Sequence, residues 1–204
     1  MATRGWSGQP PSDPEQARER LMDAAIGCLQ RFGLEKTSMA DIAAAAGITK
    51  PTVYSYFSSR DELLQSALGR AGAALGQRLI EHAAGYTSPA EQVVEAVLFC
   101  LREIPNEPGL AVSAQSNVDG FGGRVAMRPA GIALARRVLT DLLADHPELL
   151  EDVDEIAEIL IRWLLSLLAV EGPSPRGEHE LRALLHRRMI PGLGLAPGQL
   201  TLSD

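Results

Sequence analysis

The stretch from Thr37 to Leu64 sets helix caps and a glycine turn so close together that few folds remain open to it. Ser38 and Asp41, three apart, form a capping-box pattern that opens a short helix. Met39, Ile42, Ala43 and Ala46 then share one helical face, the spacing of a buried stripe. Gly47 supplies the left-handed residue that ends this helix, and Ile48 turns the chain inward. Thr49 caps a second helix, with Pro51 in its first turn, where a missing N–H is no loss. Val53 and Phe57, four apart, give that helix its inner face. Ser59 with Glu62 is a further capping box, opening a longer helix through Leu63 and Leu64. Two short helices joined by a glycine turn, the second ending in aromatics, predict a helix-turn-helix.

These residues resemble the DNA-binding end of the TetR (tetracycline repressor-like) family of one-component transcriptional regulators. The shared pattern is a Thr/Ser-capped helix, Ala46-Gly47-Ile48, a recognition helix with Lys50, Pro51, Thr52 and Tyr54, then Tyr56-Phe57 and a charged cap. It extends over roughly residues 15 to 70, and the rest of the chain is similar to the family only in length and helical character. The resemblance implies an all-α fold with an N-terminal three-helix DNA-binding domain and a C-terminal helical ligand-binding and dimerisation domain. It further implies a homodimer on a palindromic double-stranded DNA operator, released as a repressor by a small-molecule effector in the cytoplasm.

A recognition helix presents side chains opposite its buried face. With Val53 and Phe57 inside, Thr49, Lys50, Pro51, Thr52, Ser55 and Tyr56 point outward or sideways. Lys50 is the cation among them and reaches guanine O6/N7 in the major groove, while the methyl of Thr52 and the ring of Pro51 suit a thymine methyl. By the resemblance, Tyr54 and Tyr56 hydrogen-bond phosphates, and Arg60 binds phosphate beside the start of the next helix. Thr37 and Ser38 are expected to meet phosphate on the other side.

For a chain expected to bind DNA, a net charge of −7 needs explaining. Residues 1 to 62 hold seven bases against eight acids, and the remainder twelve bases against eighteen acids. The excess acid therefore lies outside the reading end. That end is not basic overall, so binding rests on a few placed cations and a moderate salt dependence. Abundant Ala and Leu with few β-branched runs favour helices throughout.

Residues 1–13, rich in Gly, Pro, Ser and Gln, are expected to be a disordered tail, with Arg4 solvated rather than seated in a minor groove. The DNA-binding domain is expected over 14–60, beginning with a helix that buries Leu21, Ala24, Ala25, Cys28, Leu29 and Phe32 and stops at Gly33. The ligand-binding and dimerisation domain follows over 61–190, with a frayed tail over 191–204. Within it Asp119 to Gly123 reads as a break. A helix over about 148–171, nearly apolar from Ile156 to Val170, reads as buried on every side. Its apolar stripe and the helix over 178–189 are the expected dimer surface. Arg162 interrupts the stripe but has Glu158 four residues earlier to pair with.

An effector pocket is expected among the helices from about Ser88 to Glu171, with Phe99, Phe121, Met127 and Trp163 as bulky lining and Gln115 and Asn117 as polar anchors. Cys28 and Cys100 read as reduced core residues. His179 and His186 stand two helical turns apart, about 10.5 Å, too far for one metal ion. Neither a nucleophile elbow nor a phosphate loop after a strand is present, so neither catalysis nor a cofactor is expected. The alternative is a helical small-molecule-binding protein or enzyme whose helix-turn-helix is vestigial.

Overall fold

The computed structural model describes residues 6–115, 121–170 and 176–195, and every regular element among them is helical. In chain order these are α1 (Pro14–Lys36), α2 (Met39–Ala45), α3 (Lys50–Tyr54), α4 (Arg60–Ala83), α5 (Pro89–Glu103), α6 (Leu110–Gln115), α7 (Phe121–Ala126), α8 (Pro129–Leu142), α9 (Val153–Ala169) and α10 (Glu178–Arg188). They form two compact units. The first comprises Met1–Gly72 with Glu107–Gly122, the second Ala73–Asn106 with Gly123–Asp204. The division falls inside α4, which runs unbroken from one unit into the other.

In the first unit, Asp13 caps α1 by accepting from the Gln16 N–H at 2.8 Å, and Pro14 occupies the first turn. Ala17, Leu21, Met22, Ala25, Cys28 and Leu29 form its buried stripe. Phe32, expected inside, is 39% exposed. Helical hydrogen bonding continues past Gly33, which kinks the chain at φ 75°, ψ 172°, and carries it on to Lys36. Within the segment expected to be disordered, Trp6–Gly8 form a 3-10 turn, and Arg20 of α1 donates to the Gln9 carbonyl. Arg4 lies outside the described residues.

In the second unit, α5 is the central helix. It packs against α9 and α10, and α8 lies alongside α9. Val93, Val94, Val97, Leu98 and Phe99 of α5 are buried, each burial contributing about 1.5–3 kcal/mol for a large side chain. Gly122 and Gly123 fall within α7 rather than in a break, since glycine weakens a helix by only about 1 kcal/mol relative to Ala. The acidic approach to α9 divides into a 3-10 turn at Pro147–Leu149 and a helix starting at Val153. Burial of α9 differs from expectation. Only Ile156 and Ala157 are buried, while Ile159, Leu160, Trp163, Leu164, Leu167 and Leu168 are half-buried and Val170 is 67% exposed. A single chain leaves much of this apolar helix uncovered. Arg162 pairs with Glu158 as its spacing requires, Nε to Oε1 at 3.1 Å. Beyond α10 the expected fraying does not begin at 191: Ile190–Leu193 form a 3-10 turn that packs on α5 and α10 and buries Ile190, Leu193 and Leu195. The apolar side chains there outweigh the Pro and Gly between them. Residues 171–175 and 196–204 lie outside the described residues.

No helix among the described residues is long and apolar enough to cross a membrane.

Candidate nucleic-acid interface

The site is built by the local sequence of α2, α3 and the start of α4. Ser38 and Asp41 make the full capping box: the Asp41 N–H donates to Ser38 Oγ at 3.3 Å, and the Ser38 N–H donates to Asp41 Oδ2 at 2.9 Å. The Ser38 hydroxyl and then its main-chain N–H hold the Asp41 carboxyl below the usual carboxylate range. Gly47 takes φ 67° at the turn, a conformation that glycine adopts without the steric penalty of a Cβ. The Ile48 N–H closes that turn on the Ala43 carbonyl at 2.9 Å.

Thr49 stands at the N-cap of α3 without making a side-chain cap. Its hydroxyl pairs instead with that of Thr52 at 2.9 Å. The Ser59–Glu62 box forms by half. The Glu62 N–H donates to Ser59 Oγ at 3.1 Å, but the Glu62 carboxylate accepts from Ser58, main-chain N–H and hydroxyl both. Those two bonds hold the Glu62 carboxyl below its ordinary range.

The two faces of α3 separate cleanly. Val53 and Phe57 are 0% and 1% exposed against the core, with Ile42 and Leu63 fully buried in the same unit. Thr49, Lys50, Pro51, Tyr54 and Ser55 are exposed, and Thr52 and Tyr56 are half-buried. The Lys50 ammonium sits 5.9 Å from the centroid of the Tyr54 ring, within cation–π range, so the cation and the phenol one turn later share one outer face. Ser38 is exposed.

Two expected phosphate ligands, Thr37 and Arg60, have partners within the protein. Thr37 is 1% exposed, and its hydroxyl donates to the Gly33 carbonyl at 2.7 Å. The Gly33 carbonyl also accepts from the Thr37 N–H at 3.2 Å, so Thr37 closes the end of α1 with both main chain and side chain. Arg60 donates through Nε to the Thr37 carbonyl at 2.5 Å and through Nη2 to the Leu34 carbonyl, with Asp61 3.5 Å from Nη1. Its guanidinium ties the start of α4 to the end of α1.

A residue that sequence reasoning passed over completes the arrangement. Arg18 of α1 lays its guanidinium 4.0 Å from the Phe57 ring centroid and donates to the Tyr56 carbonyl. Arg18 lies 38 residues before Tyr56, and no helical spacing could announce that pairing. Trp6 is the other, and its ring meets Tyr56 edge-on at 6.4 Å.

The residues expected to hold an effector fall outside this site. Phe99, Met127 and Trp163 belong to the second unit. Phe99 is buried with its ring 5.1 Å from that of His82, whereas Met127 and Trp163 are half-buried. Asn117 and the side chains of Gln115 and Phe121 lie outside the described residues.

Comparison with known proteins bears on this geometry directly. The family model of bacterial regulatory proteins of the tetR family matches residues 21–67, the span holding most of α1, α2, α3 and the first turns of α4. An uncharacterised HTH-type transcriptional regulator of Mycobacterium tuberculosis (strain ATCC 25618 / H37Rv) is 32% identical over 87% of this chain and 85% of its own length. The HTH-type transcriptional repressor KstR of the same organism is 26% identical over 76% of this chain and 70% of its own. Among solved structures, the TetR family repressor AlkX from Dietzia sp., implicated in biodegradation of n-alkanes, superposes with a TM-score of 0.63 over 91% of this chain and 98% of its own at 19% identity. The multidrug binding protein EbrR, complexed with imidazole, gives 0.59 over 88% and 95% at 21% identity. The chain belongs to the TetR family of bacterial transcriptional regulators.

Proposed function

We propose that this regulator is a homodimeric, cytoplasmic repressor that reads a palindromic operator with α3 and leaves it when a small apolar effector binds the second unit. The observation that carries the reading is the outer face of α3, where Lys50, Tyr54 and Ser55 stand exposed over a helix anchored by Val53 and Phe57. An anchored helix with one cation on its open face can enter a major groove without rearranging its core. Lys50 then reads guanine, Pro51 and Thr52 take thymine methyls, and Thr49, Tyr54, Ser55 and Tyr56 bind phosphate or line the groove. Ser38 and the main chain at the start of α2 meet the opposite strand. Arg60 holds α4 on α1 through Nε and Nη2, and its remaining Nη N–H groups are the ones that reach phosphate.

Regulation follows from a population shift. An effector that binds better to dimers with wrongly spaced reading helices lowers operator affinity by its differential affinity for that state. α4, continuous through both units, is the covalent route between them. An apolar effector is favoured because α5 and α9 offer mostly Leu, Val, Ile and aromatic side chains, and a buried unpaired anion would be costly. The naming of AlkX for n-alkane biodegradation and of EbrR for multidrug binding agrees with that class. The effector is placed near Phe99, Met127 and Trp163.

Selection from a random duplex pool tests the function. The expected product is an inverted repeat whose half-sites lie about one helical turn apart. Apolar compounds should then release that duplex while quenching Trp163 fluorescence. A pool that shows no enrichment would contradict operator reading, and release by hydrophilic ions alone would contradict the apolar effector.

A further inference from the structure

The segment before α1 makes contacts that the reading above does not use. Trp6 is the one described non-glycine residue with positive φ, 61°, a conformation that is strongly unfavourable for so bulky a side chain. Such a residue persists only where its surroundings over-determine it, and three contacts do so here. The Trp6 N–H donates to the Gly47 carbonyl at 2.8 Å, the Gln9 N–H closes the turn on the Trp6 carbonyl at 3.0 Å, and Arg20 clamps Gln9 from α1. The Trp6 ring, meanwhile, packs edge-to-face on Tyr56 at 6.4 Å and 79°. Gly47 is the turn residue before α3, and Tyr56 is the aromatic just after it.

We propose that Trp6 is a positioning residue for DNA binding: the turn at Trp6–Gly8 clasps the reading helix at both ends, by its main-chain N–H on the Gly47 turn and by its ring on Tyr56. The proposal rests on the phosphate-binding reading of Tyr56. Tyr56 has its carbonyl held by Arg18 and its ring held by Trp6, so main chain and side chain are both fixed from outside α3. Tyr54, by contrast, is 46% exposed, with the Lys50 ammonium 5.9 Å from its ring centroid. A phenol set in place before DNA arrives loses less conformational freedom on binding, which raises affinity without adding a contact. The strained φ of Trp6 is maintained by the bonds around it, while the ring supplies the effect on DNA.

The ring and the main chain separate experimentally, because Trp6→Ala keeps the N–H that meets Gly47. Binding of the full-length protein to a fluorescein-labelled random-sequence duplex at low salt, and to the duplex recovered by selection, would be followed by anisotropy for W6A, W6F, Y56A and the W6A/Y56A double variant. W6A should weaken both duplexes by about tenfold, and W6F by no more than about twofold, since an edge-to-face ring survives in Phe. Y56A should weaken both, and adding W6A to it should change nothing further, the signature of two residues acting as one unit. The circular-dichroism melting midpoint of W6A should stay within a few degrees of wild type, at roughly the cost of one aromatic contact. W6A binding like wild type, while Y56A is weakened, overturns the clasp alone. An equal W6A loss in the Y56A background also overturns it, since Trp6 would then act elsewhere. Y56A binding like wild type overturns the reading of Tyr56 and the clasp with it.

Discussion

Glu95 is a buried charge of the second unit. It is 3% exposed in the middle of α5, where an unpaired carboxylate would be untenable. Arg182 of α10 donates to its Oε1, and His82 near the end of α4 places Nε2 3.4 Å from its Oε2. Burial pushes the Glu95 carboxyl up, but Arg182 and then His82 outweigh it and leave the group below its ordinary value of 4.5. A depressed carboxyl contributes stability that is complete above the unfolded-state value and is lost as pH falls through the folded one. Wild-type protein should therefore lose melting temperature on acidification below about pH 4.5, the ordinary glutamate range. Glu95→Gln should melt lower at neutral pH, by about 2 kcal/mol of stability, less than a fully buried pair loses because Arg182 keeps some solvent. Its melting curve should also fall less steeply with acid. Parallel acid limbs for the two proteins, read by circular dichroism, would mean that Glu95 does not carry this dependence.

At the level of elements, what was legible depended on how far apart the partners lie. The Ser38–Asp41 box, the Gly47 turn and the Val53–Phe57 face each depend on residues within five positions, and all stand as the spacing predicts. The Ser59–Glu62 box is equally local, yet the Glu62 carboxylate had two serines within reach and took Ser58. Spacing names a cap without choosing between neighbouring hydroxyls. The inward and outward faces of α3 were readable for the same reason, since helical period alone sorts them. Thr37, Arg60, Arg18 and Trp6 were not readable, because their partners are carbonyls or rings met only once α1, α2 and α3 are packed. The same applies to Glu95 and Arg182, 87 residues apart. Composition misled at both ends: Trp6 and the Leu193–Leu195 pair are held by tertiary contacts within stretches whose Gly and Pro content suggests none.

For the whole molecule, the half-buried apolar side of α9 asks for a second copy of the chain. Ile159, Leu160, Leu164, Leu167 and Leu168 would gain cover in a dimer, and an apolar face of that extent is unusual on a monomer. Leu164→Glu should place a charge in that contact and yield monomers or misfolded protein. Sedimentation of wild type as a monomer at micromolar concentration, where such dimers form, would end the dimer and the palindromic operator together. The central claim is that α3 reads base sequence through Lys50, and the direct measurement is the affinity of Lys50→Ala for the selected operator and for random duplex, by fluorescence anisotropy at fixed salt. Lys50→Ala should lose about 1–3 kcal/mol on operator and much less on random DNA, because a base contact is removed while the phosphate contacts stay. Equal losses on both duplexes would contradict it and leave Lys50 as one more phosphate-facing cation.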